Sequence, residues 1–452
     1  MNLLSYLFVK RLYPFYEESL RKRKTYSYFT EYNKNMGMDR EEIKNIQWNK
    51  LKALLAYSYE NVPYYKECFD RLSLQLDDIK SIEDLDKIPV LTKEIIKSRF
   101  NDLISVEYKD SVLVKSTGGS TGVPLKFGYS RESYERRTAV MWRGYSWGRV
   151  IQGDKTLYLW GADILPVGVF GKYKAKLHNY LFNRKFINTF NLSSNNISEY
   201  VNQINGYDAK VIIAYTTPLF LIAQYILDNK ITVKQPLSIL TGAEPLYDYQ
   251  REIIEKAFNC EVFNTYGSRE VMLMASECEQ HNGLHINEDH LIIETVKDNA
   301  AVTGVSGNVL VTDLHNYAMP FIRYENGDLA TLSDSECSCG LPFKKLDSID
   351  GRSLDCIKTP SGRLLPGEFF PHLLKDFSVI KEFQVIQDRL DHLKVIIVPA
   401  YEGGGSDIAN IKTIIIDNIG LDVEVEIDLV EKIDKTLSGK HRVAISLLDG
   451  EA

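Results

Sequence analysis

A run of glycines and hydroxylated residues, KSTGGSTGVPLKF at 115–127, is the stretch of this sequence with the clearest chemical potential. Glycine removes the Cβ obstruction, so successive backbone N–H groups can converge on one anion, and hydroxyls add further donors. The run therefore predicts a phosphate cradle made of Ser116, Thr117, Gly118, Gly119, Ser120, Thr121 and Gly122. It is neither a Walker A loop nor a GxGxxG motif, and a flexible polar turn is the alternative that composition leaves open.

Four later stretches also combine polar side chains with turn residues: TGAEPL at 241–246, NTYGSRE at 264–270, RYENGDLA at 323–330 and DKTLSGKHR at 434–442. We expect Tyr266 and Glu270 to lie four residues apart where a helix begins. Asp328 is expected just after a turn, and Lys440 on a loop near the C-terminus. Taken singly, each has an ordinary structural interpretation, because helix N-termini favour carboxylates and lysines are usually solvated.

Two cysteine-containing stretches, ECEQHNGLH at 277–285 and ECSCG at 336–340, predict a zinc site. Three sulfurs and one imidazole make a closed tetrahedral site, here Cys278, His285, Cys337 and Cys339. His285 is preferred because it enters a predicted strand, and His281 is the alternative. The C-x-C spacing is tighter than the usual C-x-x-C, so buried free thiols beside surface histidines stay open as a second interpretation.

The elements that must position these residues follow from hydrophobic periodicity. Residues 40–100 have apolar positions at helical spacing. From about residue 110, buried strands such as AKVIIAY (209–215) and LSILTGAEP (237–245) alternate with helices, which is typical of a mostly parallel α/β sheet. After His285 the pattern changes to short strands, which predicts a β-rich and more antiparallel part.

A second, smaller α+β unit is expected from about Gly351 to the C-terminus. It contains the strand patterns LKVIIVPA and VEVEIDLV with a helical stretch between them. A chain of 452 residues exceeds what one hydrophobic core usually supports, so we predict domains at 1–350 and 351–452.

Composition and charge narrow the class of protein. The chain is 44% hydrophobic and 25% charged, which is an ordinary globular balance, and its net charge of −7 argues against a nucleic-acid binder. Six cysteines in so long a chain do not form a disulfide scaffold, which favours a cytoplasmic location. The opening apolar run, MNLLSYLFVKRLYPFYEESLRKRK, is broken by charges, too short to span a bilayer and not followed by a cleavage site. It predicts either a helix packed on its own domain or an amphipathic helix in peripheral contact with a membrane.

The five polar stretches, in this order and at these separations, resemble the adenylate-forming superfamily of acyl-CoA synthetases and adenylation domains. Within it the chain looks most similar to the phenylacetate–CoA ligase branch and its CapK-like relatives, over about residues 57–442. The resemblance implies an AMP-forming ligase that uses ATP and Mg²⁺ to convert a carboxylic acid into an acyl-adenylate. The acyl group then passes to CoA or, as the alternative, to an amine or sugar acceptor in capsule or surface-polysaccharide biosynthesis.

The resemblance also implies roles for single residues. The loop from Ser116 to Gly122 would hold the β- and γ-phosphates, and Glu270 would bind Mg²⁺. Asp328 would accept hydrogen bonds from the ribose hydroxyls. The adenine would lie between two groups of residues, namely Tyr266 and Gly267 on one side and Gly242, Ala243, Glu244 and Pro245 on the other.

The C-terminal part would complete the site. Arg352 matches a position at the domain junction that contacts ribose or phosphate, and Lys440 matches the lysine that bridges the acid and the α-phosphate. The family's small domain rotates between the two half-reactions. Leu354 stands where relatives have a polar residue, so the hinge position is a point of departure from the pattern.

The sequence indicates the partners only by class. A small carboxylic acid and an acyl acceptor are expected, with no nucleic acid and with a monomer and a homodimer both open. The region between the phosphate loop and the Tyr266 stretch contains aromatic residues that fit either an acid pocket or a core, namely Trp142, Trp147, Tyr158, Trp160, Tyr215 and Phe220.

Overall fold

The computed structural model has an α/β architecture and describes most of the chain. The described residues are 7–116, 125–161, 169–193, 195–244, 246–349, 357–361, 364–365, 369–374, 377, 379–401, 405–420, 422–433 and 443–448. Within them, strands and helices alternate around one large sheet, and a smaller sheet lies towards the C-terminus. No helix in these ranges combines the length and the apolar character needed to cross a bilayer.

Helices pack against the large sheet and against the smaller C-terminal sheet, and they form most of the first hundred described residues. They are α1 (Thr25–Asn35), α2 (Arg40–Asn61), α3 (Pro63–Leu72), α4 (Lys93–Ser98), α5 (Arg131–Trp147), α6 (Val169–Leu181), α7 (Ile197–Tyr207), α8 (Thr216–Asp228), α9 (Asp248–Phe258), α10 (Phe369–Leu374) and α11 (Gly405–Ile419). Consecutive π- and α-type turns precede them at Phe8–Leu12, Tyr13–Phe15 and Tyr16–Leu20, and together these form the N-terminal helical segment. Single 3₁₀ turns occur at Leu76–Asp78, Glu83–Lys87, Val106–Tyr108 and Thr189–Asn191.

The bounds of α2 follow from its sequence. The Asp39 side chain accepts a hydrogen bond from the backbone N–H of Glu42, whose side chain accepts one in return from the Asp39 N–H. This capping box satisfies two N–H groups that have no partner within the helix. The helix ends at Asn61 because Pro63 begins α3, where a proline loses no helical hydrogen bond.

The strands form four sheets. In chain order they are β1 (Leu113–Ser116), β2 (Lys126–Tyr129), β3 (Thr156–Trp160), β4 (Arg184–Asn188), β5 (Val211–Tyr215), β6 (Ser238–Gly242), β7 (Val262–Ser268), β8 (Met272–Glu277), β9 (Leu284–Ile286), β10 (Leu291–Lys297), β11 (Ala300–Ala301), β12 (Ser306–Asp313), β13 (Tyr324–Leu332), β14 (Lys345–Ile349), β15 (Ile357–Lys358), β16 (Leu364–Leu365), β17 (Ile380–Arg389), β18 (His392–Pro399), β19 (Glu424–Leu429) and β20 (Ala444–Ser446). Twelve of them make the large sheet, in the order β11-β10-β12-β13-β14-β9-β8-β7-β6-β5-β3-β4.

The half of this sheet from β4 to β7 is parallel, as the alternating pattern predicted. Strands β4, β3, β5, β6 and β7 pair in parallel register. All five residues of β5 and all five of β6 are buried, as expected for strands covered by helices on both faces. The carboxyl ends of β5, β6 and β7 therefore meet at one edge, where ligands bind in open α/β sheets.

The other half of the sheet is antiparallel, which confirms the β-rich part predicted after His285. The helix expected to begin near Glu270 is wrong, because β7 and β8 form a hairpin. The reason lies at Gly267. A Cβ there would come within 2.2 Å of the Met272 carbonyl oxygen, so glycine permits the close approach that closes the hairpin.

The C-terminal residues form a four-stranded sheet in the order β19-β18-β17-β20, covered by α11. The large sheet reaches this unit through Phe190 and Tyr215, which belong to the same hydrophobic cluster as Phe369 and Phe370. The α/β class with a small α+β C-terminal unit is thus confirmed. The boundary predicted at 350/351 lies outside the described residues and stays a prediction.

Candidate active site and metal cluster

The predicted phosphate loop starts beside the β7–β8 hairpin. Ser116 ends β1 and pairs with Lys126 of β2, so the strands on both sides of the loop are joined. The Arg269 guanidinium donates a hydrogen bond to the Ser116 carbonyl oxygen (3.4 Å). The start of the loop is therefore in contact with the residue that precedes Glu270 in the sequence. The other loop residues lie outside the described residues, namely Thr117, Gly118, Gly119, Ser120, Thr121 and Gly122.

Two of the predicted nucleotide-binding residues are in direct contact. The Tyr266 hydroxyl, from β7, donates to Asp328 Oδ2 of β13 at 2.9 Å. Asn326 Nδ2 donates to both the Tyr266 oxygen (2.8 Å) and Asp328 Oδ2 (2.8 Å), and Asn326 Oδ1 accepts from the Asp328 backbone N–H (3.0 Å). Donors from two directions thus fix the Asp328 carboxylate, and an ionised carboxylate is an acceptor suited to a diol.

Glu270, the predicted magnesium ligand, is held in a similar way. Its side chain is only 7% exposed, and Oε1 accepts a hydrogen bond of 2.9 Å from the hydroxyl of the fully buried Tyr324. The two strands therefore exchange hydroxyl donors. Tyr324 of β13 orients the carboxylate that follows β7, and Tyr266 of β7 orients the carboxylate Asp328 of β13.

The TGAE turn after β6 is shaped by its neighbours. A Cβ on Gly242 would lie 2.6 Å from Thr265 Oγ1, which itself donates to the Thr241 carbonyl oxygen, so glycine is required by this close approach. Ala243 adopts a left-handed φ of 68°. Glu244 accepts a hydrogen bond from the Thr217 backbone N–H (2.6 Å), which caps the start of α8. Burial raises the pKa of this carboxyl.

Three predicted site residues, Pro245, Arg352 and Lys440, lie outside the described residues, as does Leu354 at the expected hinge. Their roles stay predictions. The described part of the site consequently consists of the edge formed by β6, β7, β13 and the end of β1.

The aromatic residues expected near an acid pocket separate into two groups. Trp160 and Tyr215 stack with ring centroids 4.4 Å apart, and Tyr215 pairs with Gly242 in the β5–β6 register, so this stack borders the TGAE turn. The remaining aromatics, Trp142, Trp147, Tyr158 and Phe220, make ring contacts elsewhere, with Tyr26, His285, Phe186 and Tyr249 respectively. Among the described residues, the Trp160–Tyr215 stack is thus the part of this set that strand register places beside the TGAE turn.

The predicted metal ligands come together at the other end of β8. One ligand atom from each of Cys278, His285, Cys337 and Cys339 lies within 4.8 Å of the others. The Cys278 and Cys337 sulfurs are 3.7 Å apart, and Cys339 Sγ is 3.2 Å from His285 Nε2. Burial raises the pKa of the Cys278 thiol to about 12, so a bound cation would be needed to make it a thiolate at neutral pH.

The orientation of His285 fits metal binding. Its Nδ1 lies 3.1 Å from the Phe343 carbonyl oxygen, a contact in which Nδ1–H donates and Nε2 is directed at the sulfurs. Such a carbonyl partner is the usual support for a ligating imidazole. His281, the alternative ligand, instead contacts Glu277 (3.3 Å) and the Phe263 ring. The donor set therefore suits a tetrahedral Zn²⁺.

Sequence analysis missed three residues that organise the candidate active site: Arg269, Tyr324 and Asn326. Tyr324 and Asn326 lie in the same RYENGDLA stretch as Asp328, so their proximity in the chain was visible. Their roles were not, because the side chains that they contact, Glu270 and Tyr266, come from the distant β7–β8 hairpin, and a β-bulge between β12 and β13 changes the register.

Comparisons with known proteins identify families and structures that this chain resembles. Residues 357–446 match the family described as the CapK C-terminal domain. The chain is 27% identical over 439 residues to protein CapK of Staphylococcus aureus, covering 94% of each chain. It is 25% identical over 364 residues to a phenylacetate-coenzyme A ligase of Thermus thermophilus, covering 78% of this chain and 80% of the relative.

Among solved structures, 2-hydroxyisobutyryl-CoA ligase in complex with 2-HIB-AMP and CoA superposes with a TM-score of 0.62 at 19% identity, covering 91% of each chain. That likeness shows a shared fold. Together with the sequence relatives it confirms the resemblance drawn from the motifs: the chain is a homologue of CapK and of the phenylacetate-CoA ligases, with the fold of the adenylate-forming superfamily.

Proposed function

We propose that this protein is an ATP-dependent, AMP-forming ligase that activates a carboxylic acid as an acyl-adenylate and then transfers the acyl group. The observation that carries the proposal is the pair of fixed carboxylates, Glu270 and Asp328, beside the start of the phosphate loop at Ser116. A ribose-binding acceptor and a cation-binding carboxylate at the entrance of a glycine and hydroxyl loop are what a nucleotide triphosphate requires.

The chemical task is to bring two negative partners together. A carboxylate attacks the α-phosphate and pyrophosphate leaves, so the site must neutralise charge and align the attack. The loop from Ser116 to Gly122 would hold the terminal phosphates, and Glu270 would help hold Mg²⁺, which neutralises phosphate charge when bound. Lys440 would bring its ammonium to the attacking carboxylate and the α-phosphate. Arg352 would contact ribose or phosphate.

The base would be bordered by Tyr266 and Gly267 on one side and by the TGAE turn on the other. Because Gly242 has no Cβ, the TGAE turn can lie directly against Thr265 of β7. This close approach supports a narrow binding site for the base. The Trp160–Tyr215 stack next to Gly242 is the part of the predicted aromatic set that supports an acid pocket.

Transfer to CoA is the first candidate for the second step, because relatives of the chain are named phenylacetate-coenzyme A ligases. A second candidate is transfer to an amine or sugar acceptor in capsule or surface-polysaccharide biosynthesis. The CapK match supports it, because it spans 94% of this chain and the C-terminal residues 357–446 are of the CapK type. By the same resemblance, the C-terminal unit would rotate between half-reactions and so change access for the acceptor.

We also propose that the Cys278, His285, Cys337 and Cys339 cluster binds a structural Zn²⁺. Its ligands are supplied by the end of β8, by β9 and by the loop before β14. A metal there would fasten three segments of the antiparallel half of the sheet, away from the nucleotide site.

A pyrophosphate-release assay over a panel of acids, with and without CoA, tests the function. Release that depends on an acid supports adenylation, and further stimulation by CoA selects the thioester as product. If acid-dependent release is unaffected by CoA, amines and sugars become the acceptors to screen. If no acid stimulates pyrophosphate release by protein that has been shown to bind ATP, the proposal is contradicted.

The lysine assignment has a separate test. Lys440→Ala is expected to lower acid-dependent pyrophosphate release by about a thousandfold, because it removes the cation from the charged transition state, while ATP binding stays largely intact. Lys412→Ala, on the exposed side of α11, is the matched control and should keep full activity. Equal activity of both variants would remove Lys440 from the mechanism.

A further inference from the structure

The N-terminal helical segment and α6 together expose an unusual amount of apolar surface. On α6, Tyr173, Leu177 and Tyr180 are spaced four and three residues apart and are 70%, 59% and 57% exposed. On the N-terminal helical segment, Leu12, Phe15 and Leu20 are 58%, 62% and 66% exposed. Clusters of exposed large apolar residues mark interaction sites, whereas single ones need no explanation.

The two elements form one continuous surface. Their inward sides pack together through Tyr13, whose ring lies 4.6 Å from Phe182 and 6.5 Å from His178, and through Phe8, 5.5 Å from Phe182. Val9 and Glu17 are buried beneath the segment. These inner residues join the two elements to each other, and the outer apolar residues named above stay largely exposed to solvent.

This surface has a charge opposite to that of the whole chain. Residues 7–24 contain six basic and two acidic side chains, and α6 (169–181) contains three basic and no acidic ones, in a protein of net charge −7. Lys10, Arg11, Lys174 and Lys176 are all exposed among the apolar residues. A cleft of about 640 Å³ opens at the end of the N-terminal helical segment. Its charged lining is net basic, with four cations, Arg21, Arg23, Lys115 and Arg131, and one carboxylate, Glu135.

We propose that this surface docks the protein onto an anionic lipid membrane. Exposed leucine and aromatic residues interleaved with lysine and arginine on paired helices have the composition of interfacial helices, whose apolar side chains enter the headgroup boundary while the cations face lipid phosphates. A second copy of the chain fits less well, because an isologous contact would bring two basic surfaces against each other.

Co-sedimentation of the full-length protein with vesicles tests the proposal. Wild type is expected to bind phosphatidylcholine vesicles that contain phosphatidylglycerol, to bind pure phosphatidylcholine weakly, and to be released by high salt, because screening weakens the charge contribution. Equal binding to both compositions, or no binding to either, would overturn it.

Two sets of exposed substitutions separate the apolar from the charged contribution. Leu177→Ser with Tyr180→Ser should lower the vesicle partition constant about tenfold or more through lost apolar burial. Lys174→Glu with Lys176→Glu should lower it at least as much and flatten its salt dependence. Matched controls elsewhere on the surface, Ile151→Ser with Leu237→Ser and Lys80→Glu with Lys109→Glu, should bind like wild type.

Two further readouts separate membrane docking from a catalytic or an oligomeric role of the same surface. Acid-dependent pyrophosphate release in solution should be unchanged in all these variants, because none of these residues belongs to the described part of the candidate active site. Loss of vesicle binding alone therefore supports docking. Light scattering after gel filtration reports the oligomeric state. A wild-type dimer that Leu177→Ser with Tyr180→Ser converts to a monomer would assign the surface to a second copy and overturn membrane docking.

Discussion

The two ends of β8 hold their chemically active side chains by different kinds of contact. Just before the strand, Glu270 and the nearby Asp328 are carboxylates fixed by tyrosine hydroxyls and an asparagine amide. Just after it, Cys278 joins a cluster packed among Phe343, Trp147 and Ile43. A strand of six residues separates the two by about 20 Å, so neither set of ligands reaches the other.

The two ends differ in whether the bound group is expected to exchange. At the carboxylate end the orienting contacts named above are hydrogen bonds, which can be shared with or exchanged for a ligand that arrives and leaves. At the cysteine end the surroundings are apolar and the donors are soft, which suits one permanently bound ion. The comparison predicts that substitutions at the first end change turnover with little loss of stability, and that substitutions at the second do the reverse.

The largest expected effect is on turnover at the carboxylate end. Glu270→Gln keeps the shape and an oxygen that accepts from Tyr324 but removes the charge that Mg²⁺ requires, so acid-dependent pyrophosphate release should fall by about a thousandfold. The melting temperature should stay within a few degrees of wild type. Glu279→Gln, an exposed glutamate just beyond the other end of β8, is the control and should keep its activity. A Glu270→Gln enzyme with normal magnesium dependence would break the comparison.

The next effect is on stability at the cysteine end. Cys278→Ser should release the metal and lower the free energy of unfolding by about 3–5 kcal/mol, because a structural ion contributes directly to folding. Metal content by elemental analysis and denaturant unfolding are the two measurements. Cys260→Ser, at a buried thiol outside the cluster, should cost about 1 kcal/mol and no metal. Purified wild type without stoichiometric zinc would refute the assignment, whatever its stability.

Sequence alone predicted the cysteine end better than the carboxylate end, and the reason is physical. Residue type alone picked out the four side chains that the structure brings together, and the position of His285 at the entry to a strand favoured it over His281. In the structure His281, the alternative ligand, contacts the Glu277 carboxylate instead of the cysteines. Alternation of strands and helices likewise predicted the parallel half of the sheet, because burial on both faces gives strands such as β5 a continuous apolar sequence.

At the carboxylate end the same approach found Glu270 and Asp328 but placed the first at a helix. Periodicity over so few residues cannot distinguish a helix start from a tight hairpin, and the deciding contact is between Gly267 and the backbone at Met272. The two reciprocal hydrogen bonds, from Tyr266 to Asp328 and from Tyr324 to Glu270, were not predicted either. Strands β7 and β13 are about sixty residues apart and are not neighbours in the sheet, so only tertiary structure brings Tyr266 to Asp328.

The smallest expected effect comes from removing the hydroxyl of Tyr266 or of Tyr324, and it is also the most specific one. Tyr266→Phe keeps the ring that would border adenine but removes the donor to Asp328, so the KM for ATP should rise about tenfold with kcat nearly unchanged, as for a lost hydrogen bond to a charged group. Tyr324→Phe is the matched change on the partner strand, and it should instead raise the Mg²⁺ concentration needed for half-maximal rate, because it frees Glu270. Steady-state kinetics at varied ATP and varied Mg²⁺ separate the two. If both variants shifted the same parameter, the carboxylates would have to act on one ligand together, and the division of ribose and metal between β13 and the β7–β8 hairpin would be wrong.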